Sequence, residues 1–318
     1  MCPHTQKRRA FTMLELIFVI VIMGILAKFG AEIFKNVYDT YMRSSIQNRL
    51  QTETELALKQ ISNRLQYRIK NSVIGRTNAA TWQGIQSVAG TENVLEWVGY
   101  DIDGWLGNDH GGALGYNRPT WTGLIDVDAI DAGTASINTL FSPGSDTGEA
   151  NTVIQALRAN GSATAFNNTA IFFNGANADV QVDFGWNGAV IADQNGTAAH
   201  RISTGAGLQQ FNATVGNFAN VDIYEQYKLG WTAYAIAWED PDGDNIGDLF
   251  LYYDYQPWEG EVYNNAANLT NRRKLLLENV DTFKFQGIGD MIKLQICVND
   301  GNILGDGGYS LCKEQAIF

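Results

Sequence analysis

Lys7-Arg8-Arg9-Ala10-Phe11-Thr12-Met13-Leu14-Glu15-Leu16 runs without a break into Ile17-Phe18-Val19-Ile20-Val21-Ile22-Met23-Gly24-Ile25-Leu26-Ala27, and this stretch decides how the rest of the 318-residue chain is arranged. From Phe11 to Ala31 only Glu15 and Lys28 are charged. About 21 helical residues rising ~1.5 Å each span ~30 Å, the thickness of a bilayer's hydrocarbon core. The direct reading is one membrane-spanning helix behind a short basic segment.

A secretory signal peptide and a plain signal anchor share that basic-then-apolar layout. Glu15 argues against both. A carboxylate inside an apolar stretch costs a few kcal/mol on insertion scales, so it marks a partner. Cleavage between Ala10 and Phe11 would expose an α-ammonium able to serve, from the same helix four residues away or from a neighbouring subunit. In a stack of such helices a mispaired register leaves a charge unsatisfied in an apolar medium, so the pairing sets the register.

A short basic leader, the Ala10–Phe11 junction, Thr12, two apolar residues, Glu15 and an unbroken apolar helix containing Gly24 together resemble the N-terminal signature of type IV pilins and type II secretion pseudopilins. The resemblance covers residues 7–30. It implies a prepilin leader over residues 1–10, removed by an inner-membrane prepilin peptidase at Ala10–Phe11, and N-methylation of Phe11. It also implies a single-pass inner-membrane precursor whose residues 11–32 pack with other pilins or pseudopilins in the core of a periplasmic or extracellular filament, with Glu15 holding the register. Ala10 stands where the family usually has Gly. Glu32 stands where many members have Pro, so no proline kink is expected.

Beyond the membrane segment the apolar run narrows to a stripe. Phe34, Val37, Tyr38, Tyr41, Met42, Ile46 and Leu50 recur at three- and four-residue spacing, and Leu58, Ile61, Leu65 and Ile69 resume it after the polar interval Gln51 to Glu55. The pattern predicts one helix from about Phe11 to about Asn71, with Gly75 as its exit. Residues 33–75 form its extracytoplasmic half, and a separate coiled coil is disfavoured because Gln51 to Glu55 spoils a strict heptad.

Removing Lys7, Arg8 and Arg9 leaves 19 basic against 34 acidic residues, a mature charge of −15. Such a surface repels phosphate, so direct nucleic-acid binding is not expected. The 33 glycines and only 5 prolines, with abundant Asn, Thr, Trp and Tyr, fit an exported strand-and-loop domain over 76–318. The fold class is α+β: a long N-terminal helix packed on an antiparallel β-rich domain. Val94–Tyr100, Trp121–Asp128, Ala170–Phe173 and Val180–Phe184 read as strands, and about 130–220 reads as an elaborated region. Asp101, Asp103 and Asp109 read as a solvated acidic turn, because Trp105 occupies the place of a further oxygen ligand.

Trp231–Trp238 alternates bulky Tyr234, Ile236 and Trp238 with Ala233, Ala235 and Ala237, and the alanine face is the one expected to receive the helix. The next strand follows after a loop with Asp240, Asp242, Asp244 and Asp248 at its first, third, fifth and ninth positions. That spacing resembles the calcium loops of EF-hands and of hairpin sites in integrin-type repeats, where the seventh residue, here Ile246, lends its carbonyl. Four carboxylates within nine residues repel one another unless a cation neutralises them, so a structural Ca2+ is expected against the alternative of an exposed acidic turn. Asn245 in place of Gly, and Leu251 in place of the bidentate Glu, make this a hairpin loop rather than an EF-hand.

Leu275–Phe285 and Met291–Val298 read as closing amphipathic strands. In the second, Ile292, Leu294, Ile296 and Val298 share one face and Lys293, Gln295 and Cys297 the other. Cys2 leaves with the leader, so Cys297 and Cys312 are the two thiols carried to an oxidising compartment, where a disulfide between them is expected. No nucleophile elbow, Walker loop or zinc-protease helix is present, and the chain reads as non-enzymatic. Two functions remain: a minor subunit that assembles at a filament tip or initiation complex, or a filament-displayed adhesin gripping a surface or carbohydrate through Trp105, Trp121 or Trp258.

Overall fold

The computed structural model describes residues 12–78, 81–107, 118–129, 137–159, 161–265, 271–301 and 309–318. The apolar run and the stripe behind it form one helix, α1, Met13–Leu65. The polar interval does not break it, because Thr54 turns inward and its hydroxyl donates to the Leu50 carbonyl at 2.6 Å. The helix ends at Leu65 rather than near Asn71. Buried Arg68 donates Nη1 to the Leu65 carbonyl at 2.8 Å and Nη2 to the Asp290 carbonyl at 2.6 Å. Tyr67 and Ile69 then exchange backbone hydrogen bonds with Tyr100 and Val98, so sheet pairing captures the chain where another helical turn would have continued.

The described strands are β1 Ile74–Asn78, β2 Thr81–Gly84, β3 Val94–Tyr100, β4 Thr139–Phe141, β5 Thr169–Phe173, β6 His200–Thr204, β7 Gln210–Ala213, β8 Tyr227–Glu239, β9 Gly247–Tyr255, β10 Arg273–Ile288, β11 Met291–Asn299 and β12 Ser310–Ile317. Paired neighbours run antiparallel along β12-β11-β10-β9-β8-β5-β6-β7-β4, with β3 on β8, β1 on β3 and β2 on β1. β8 is the trunk of a fork. β3 follows one edge from Gly230 to Ala237, while the opposite edge is shared between β5, at Tyr227 to Gly230, and β9, at Ala233 to Glu239. The elaborated region therefore enters the sheet itself, through β5.

α1 packs on the bulky face of β8, not on the alanine face. Ile46, Leu50, Ile61 and Leu65 share a core with Ile236, Leu294 and Ile296, with Tyr234 and Trp238 against its margin. Ala233, Ala235 and Ala237 lie on the other side, where Phe184, Trp186 and Trp258 of the elaborated region and the loop after β9 press onto them. Small side chains in the sheet leave room for indoles rather than for a helix. A third core, including Trp121, Phe166, Phe211 and Trp231, lies under the elaborated region.

Two expected strands are absent. Val180–Phe184 is a tight turn: the Asp179 carboxylate accepts Gln181 N at 2.9 Å and Asp183 accepts Asp179 N at 2.7 Å, so aspartate capping overrides the alternation. Trp121–Asp128 pairs only through a bridge from Leu124 to Gln226 before turning at Val127. Asp101 is not solvated but buried, as N-cap of α2, Ile102–Leu106: it accepts Gly104 N at 3.2 Å and Trp121 Nε1 at 3.1 Å. Asp109 lies outside the described residues.

Burial pushes the Asp101 carboxyl up to about 7, against donation from Gly104 N–H and the Trp121 indole. The unfolded chain ionises this group near its ordinary value of 3.8 while the folded chain holds the proton, so stability falls as pH rises between about 4 and about 7. The expected loss is on the order of 4 kcal/mol. Denaturant midpoints at pH 5 and pH 8 should show this slope in the natural chain and a flatter one in Asp101→Asn, which keeps the acceptor for Gly104.

Cys297 and Cys312 face each other in the β11–β12 register and are joined, S–S 2.07 Å, on the sheet face opposite α1. A loop of 15 residues closed this way contributes about 3 kcal/mol. It also pins the last strand, whose inward Lys313 and Gln315 reach Glu55 at 3.0 Å and Ser62 at 3.1 Å on α1.

Candidate functional site

Two features stand apart from the packed cores: the bare half of α1 and the acidic hairpin loop. Thr12 caps α1, its hydroxyl accepting Glu15 N at 3.4 Å. Glu15 thus sits in the first turn, where the helix dipole favours an anion. From Met13 to Tyr41 the side chains are exposed apart from half-buried Asp39, and they include Phe18, 66 % exposed, and Phe34, 74 % exposed. Burial against the sheet begins at Ile46. The half of the stripe from Phe34 to Tyr41 therefore lacks the sheet contact that the other half makes. The segment is long and apolar enough to cross a membrane. Ala10 and Phe11 lie outside the described residues.

In the loop between β8 and β9, Asp240 accepts Gly243 N at 2.8 Å and Asn245 N at 2.9 Å, and Asp244 accepts Ile246 N at 2.8 Å. Gly243 and Asn245 take left-handed backbone, φ 77° and 67°. Ligand oxygens of Asp240, Asp242 and Asp244 lie within 4.8 Å of one another. Slight burial raises the Asp240 carboxyl, but the Gly243 and Asn245 N–H groups outweigh it and hold it below the usual carboxylate range. Asp248 is turned elsewhere: its carboxylate accepts Asn279 N on β10 at 3.1 Å. The structure thus brings three of the four predicted carboxylates together. Of the three tryptophans expected to grip a surface if the chain is an adhesin, Trp105 is 40 % exposed, whereas Trp121 and Trp258 are core residues at 2 % and 0 %.

Sequence reading missed a buried charge cluster that ties the elaborated region to the main sheet. Arg158, following helix α3, Thr147–Leu157, places Nε 3.1 Å from Asp254, and Arg272 approaches the same carboxylate at 3.4 Å. Nothing local in the sequence signals it, because Arg158 lies nearly a hundred positions before Asp254 and reaches it only once the elaborated region has joined the sheet.

The chain matches the prokaryotic N-terminal methylation motif over residues 5–27. No curated protein and no solved structure matches it.

Proposed function

The chain carries the N-terminal signature of type IV pilins and pseudopilins and is anchored in the inner membrane before assembly into a filament; from this premise we propose that it is a structural, non-catalytic subunit assembling through its stem at the tip or in the initiation complex of a type IV pilus or type II secretion pseudopilus. One observation carries the reading. A helix whose apolar side chains are exposed from Met13 to Tyr41, with an acid at position 15, needs lipid around it first and neighbouring stems afterwards. Prepilin peptidase acts at Ala10–Phe11, Phe11 is methylated on its new amine, and Glu15 pairs with such an amine. The large domain suits a short run of copies rather than a whole shaft.

Mass spectrometry of the membrane fraction should find a mature chain beginning at methylated Phe11, and deletion of the gene should abolish the filament. A chain still beginning at Met1 overturns the reading. Filaments that persist but no longer attach would favour the displayed adhesin, for which only Trp105 remains as an exposed tryptophan of the three.

The acidic hairpin supports a structural Ca2+ held by Asp240, Asp242 and Asp244, with Ile246 offering its carbonyl and Asp248 bracing the loop against β10. Chelation is expected to lower Tm by about 3 °C at millimolar calcium, as a weak extracytoplasmic site would. Asp242→Asn should erase the difference. A Tm indifferent to chelator leaves an acidic turn.

A further inference from the structure

Arg68, Lys70 and, from β8, Lys228 gather around the exit of α1. Arg68 is met by the Leu65 and Asp290 carbonyls, and Lys70 by the Asp290 carboxylate at 2.8 Å. Lys228 has no such partner: among the described residues its ammonium makes no ion pair, and it lies over the Tyr100 ring, 4.7 Å from the centroid. Burial pushes the Lys228 ammonium below its ordinary value, and the like charges of Lys70 and Arg68 push it further the same way. Beyond the leader the chain carries 34 acidic against 19 basic residues, so carboxylates are plentiful. The buried cations Arg76, Arg158 and Arg201 are each paired with one. Holding half-buried Lys228 without one costs stability that an incoming anion recovers.

Lys70 and Lys228 line one cavity of about 230 Å3 with Asn71, Asn174, Ile69 and Phe172, and no acid lies in its wall among the described residues. Lys70 and Asn71 also line a second cavity of about 370 Å3, whose polar wall includes Gln86, Gln181, Asp179 and Asp290. The two adjoin across this one residue pair, the first cationic and the second rich in amides and carboxylates. The first is smaller than the ~300–1,000 Å3 of sites for drug-sized ligands, so it holds one small unit whose chain continues into the second. A run of acidic residues or of phosphates would set its next charge against Asp179 and Asp290. Sugar hydroxyls, in contrast, donate to carboxylates and exchange hydrogen bonds with amides.

We propose that this double cavity binds an acidic saccharide, with a uronate carboxylate on Lys228 beside Lys70 and the adjoining neutral sugar among Asn71, Gln86 and Gln181. Lys228 is the anchor, held in place by the Tyr100 ring before the ligand arrives. Lys70, exposed and already shared with Asp290, adds to the field. The site belongs to the globular domain, and its occupancy is independent of how the stem assembles.

Isothermal titration calorimetry of the full chain, in a zwitterionic detergent that carries no sugar headgroup, tests this with a tetrasaccharide alternating glucuronate with N-acetylglucosamine. Binding is expected at a Kd of about 10⁻⁴ M, weakening about tenfold when the carboxylates are methyl-esterified. Lys228→Gln should weaken it about tenfold as well while raising Tm by about 2 °C, because an unmatched charge is removed. Lys228→Arg should stay within about threefold of the natural chain. No heat with the tetrasaccharide, equal binding of its methyl ester, or a Lys228→Gln chain that binds as well as the natural one overturns the assignment. A Tm that falls in Lys228→Gln removes the unmatched charge on which the assignment stands. Tighter binding of hexaglutamate than of the tetrasaccharide also overturns it and makes the cleft a peptide site.

Discussion

Glu15→Ala is expected to leave leader removal at Ala10–Phe11 intact while lowering recovery of the chain in sheared filaments about 100-fold, the equivalent of ~3 kcal/mol for a charge left unpaired in an apolar medium. The loss falls on the neighbour: without the carboxylate, an incoming amine enters the stem bundle unmatched. Insertion of the precursor should not suffer, since removing an acid makes the segment more apolar. Immunoblots of membranes and sheared filaments separate the two effects. Normal incorporation of the variant would remove the electrostatic basis of assembly. Glu15→Asp, which keeps the charge on a shorter arm, should lie between the two.

Asp254→Ala carries the other large expected effect, a destabilisation of about 3–5 kcal/mol, because it takes the carboxylate from buried Arg158 and leaves buried Arg272 with only Glu261, at 3.5 Å. Asp254 is 0 % exposed, and Arg158 and Arg272 are 6 % and 7 % exposed. Its carboxylate also accepts Ala159 N at 2.8 Å, while its own N–H donates to Thr232 Oγ1 at 2.9 Å. Arg158 goes on to Gln256 at 3.1 Å, and Gln256 donates to the Trp231 carbonyl at 2.7 Å, so one carboxylate couples α3, the trunk strand and the turn after β9. Chemical unfolding of the full chain in detergent should show the midpoint drop, with intrinsic fluorescence of Trp231 and Trp258 following it. A change below about 1 kcal/mol would mean that the arginines find other partners or water.

The stem was legible because its signals are local. About twenty apolar residues, one acid and a stripe at three- and four-residue spacing each act over a single helical turn or a single membrane thickness, and no distant contact is required to read them. The β8–β9 hairpin was legible for the same reason, as was the pairing of Cys297 with Cys312. The face that receives α1 was not: Ala233, Ala235 and Ala237 left space that either the helix or the tryptophans could have filled, and only the packing of Trp186 and Trp258 settled which. Val180–Phe184 alternates like a strand, yet two aspartates closed it into a turn.

The amino-acid sequence by itself determined that this protein has a long apolar helix with an acid in its first turn, an α+β body behind it, and an oxygen-rich hairpin loop. Tertiary structure alone decided that β8 forks, that the elaborated region joins the sheet through β5, that Asp248 leaves the carboxylate cluster for Asn279, and that Asp254 is the buried knot. The division follows the range of the forces. Helix periodicity and turn chemistry are written within a few residues, whereas shape complementarity and the pairing of buried charges exist only once distant segments have been brought together.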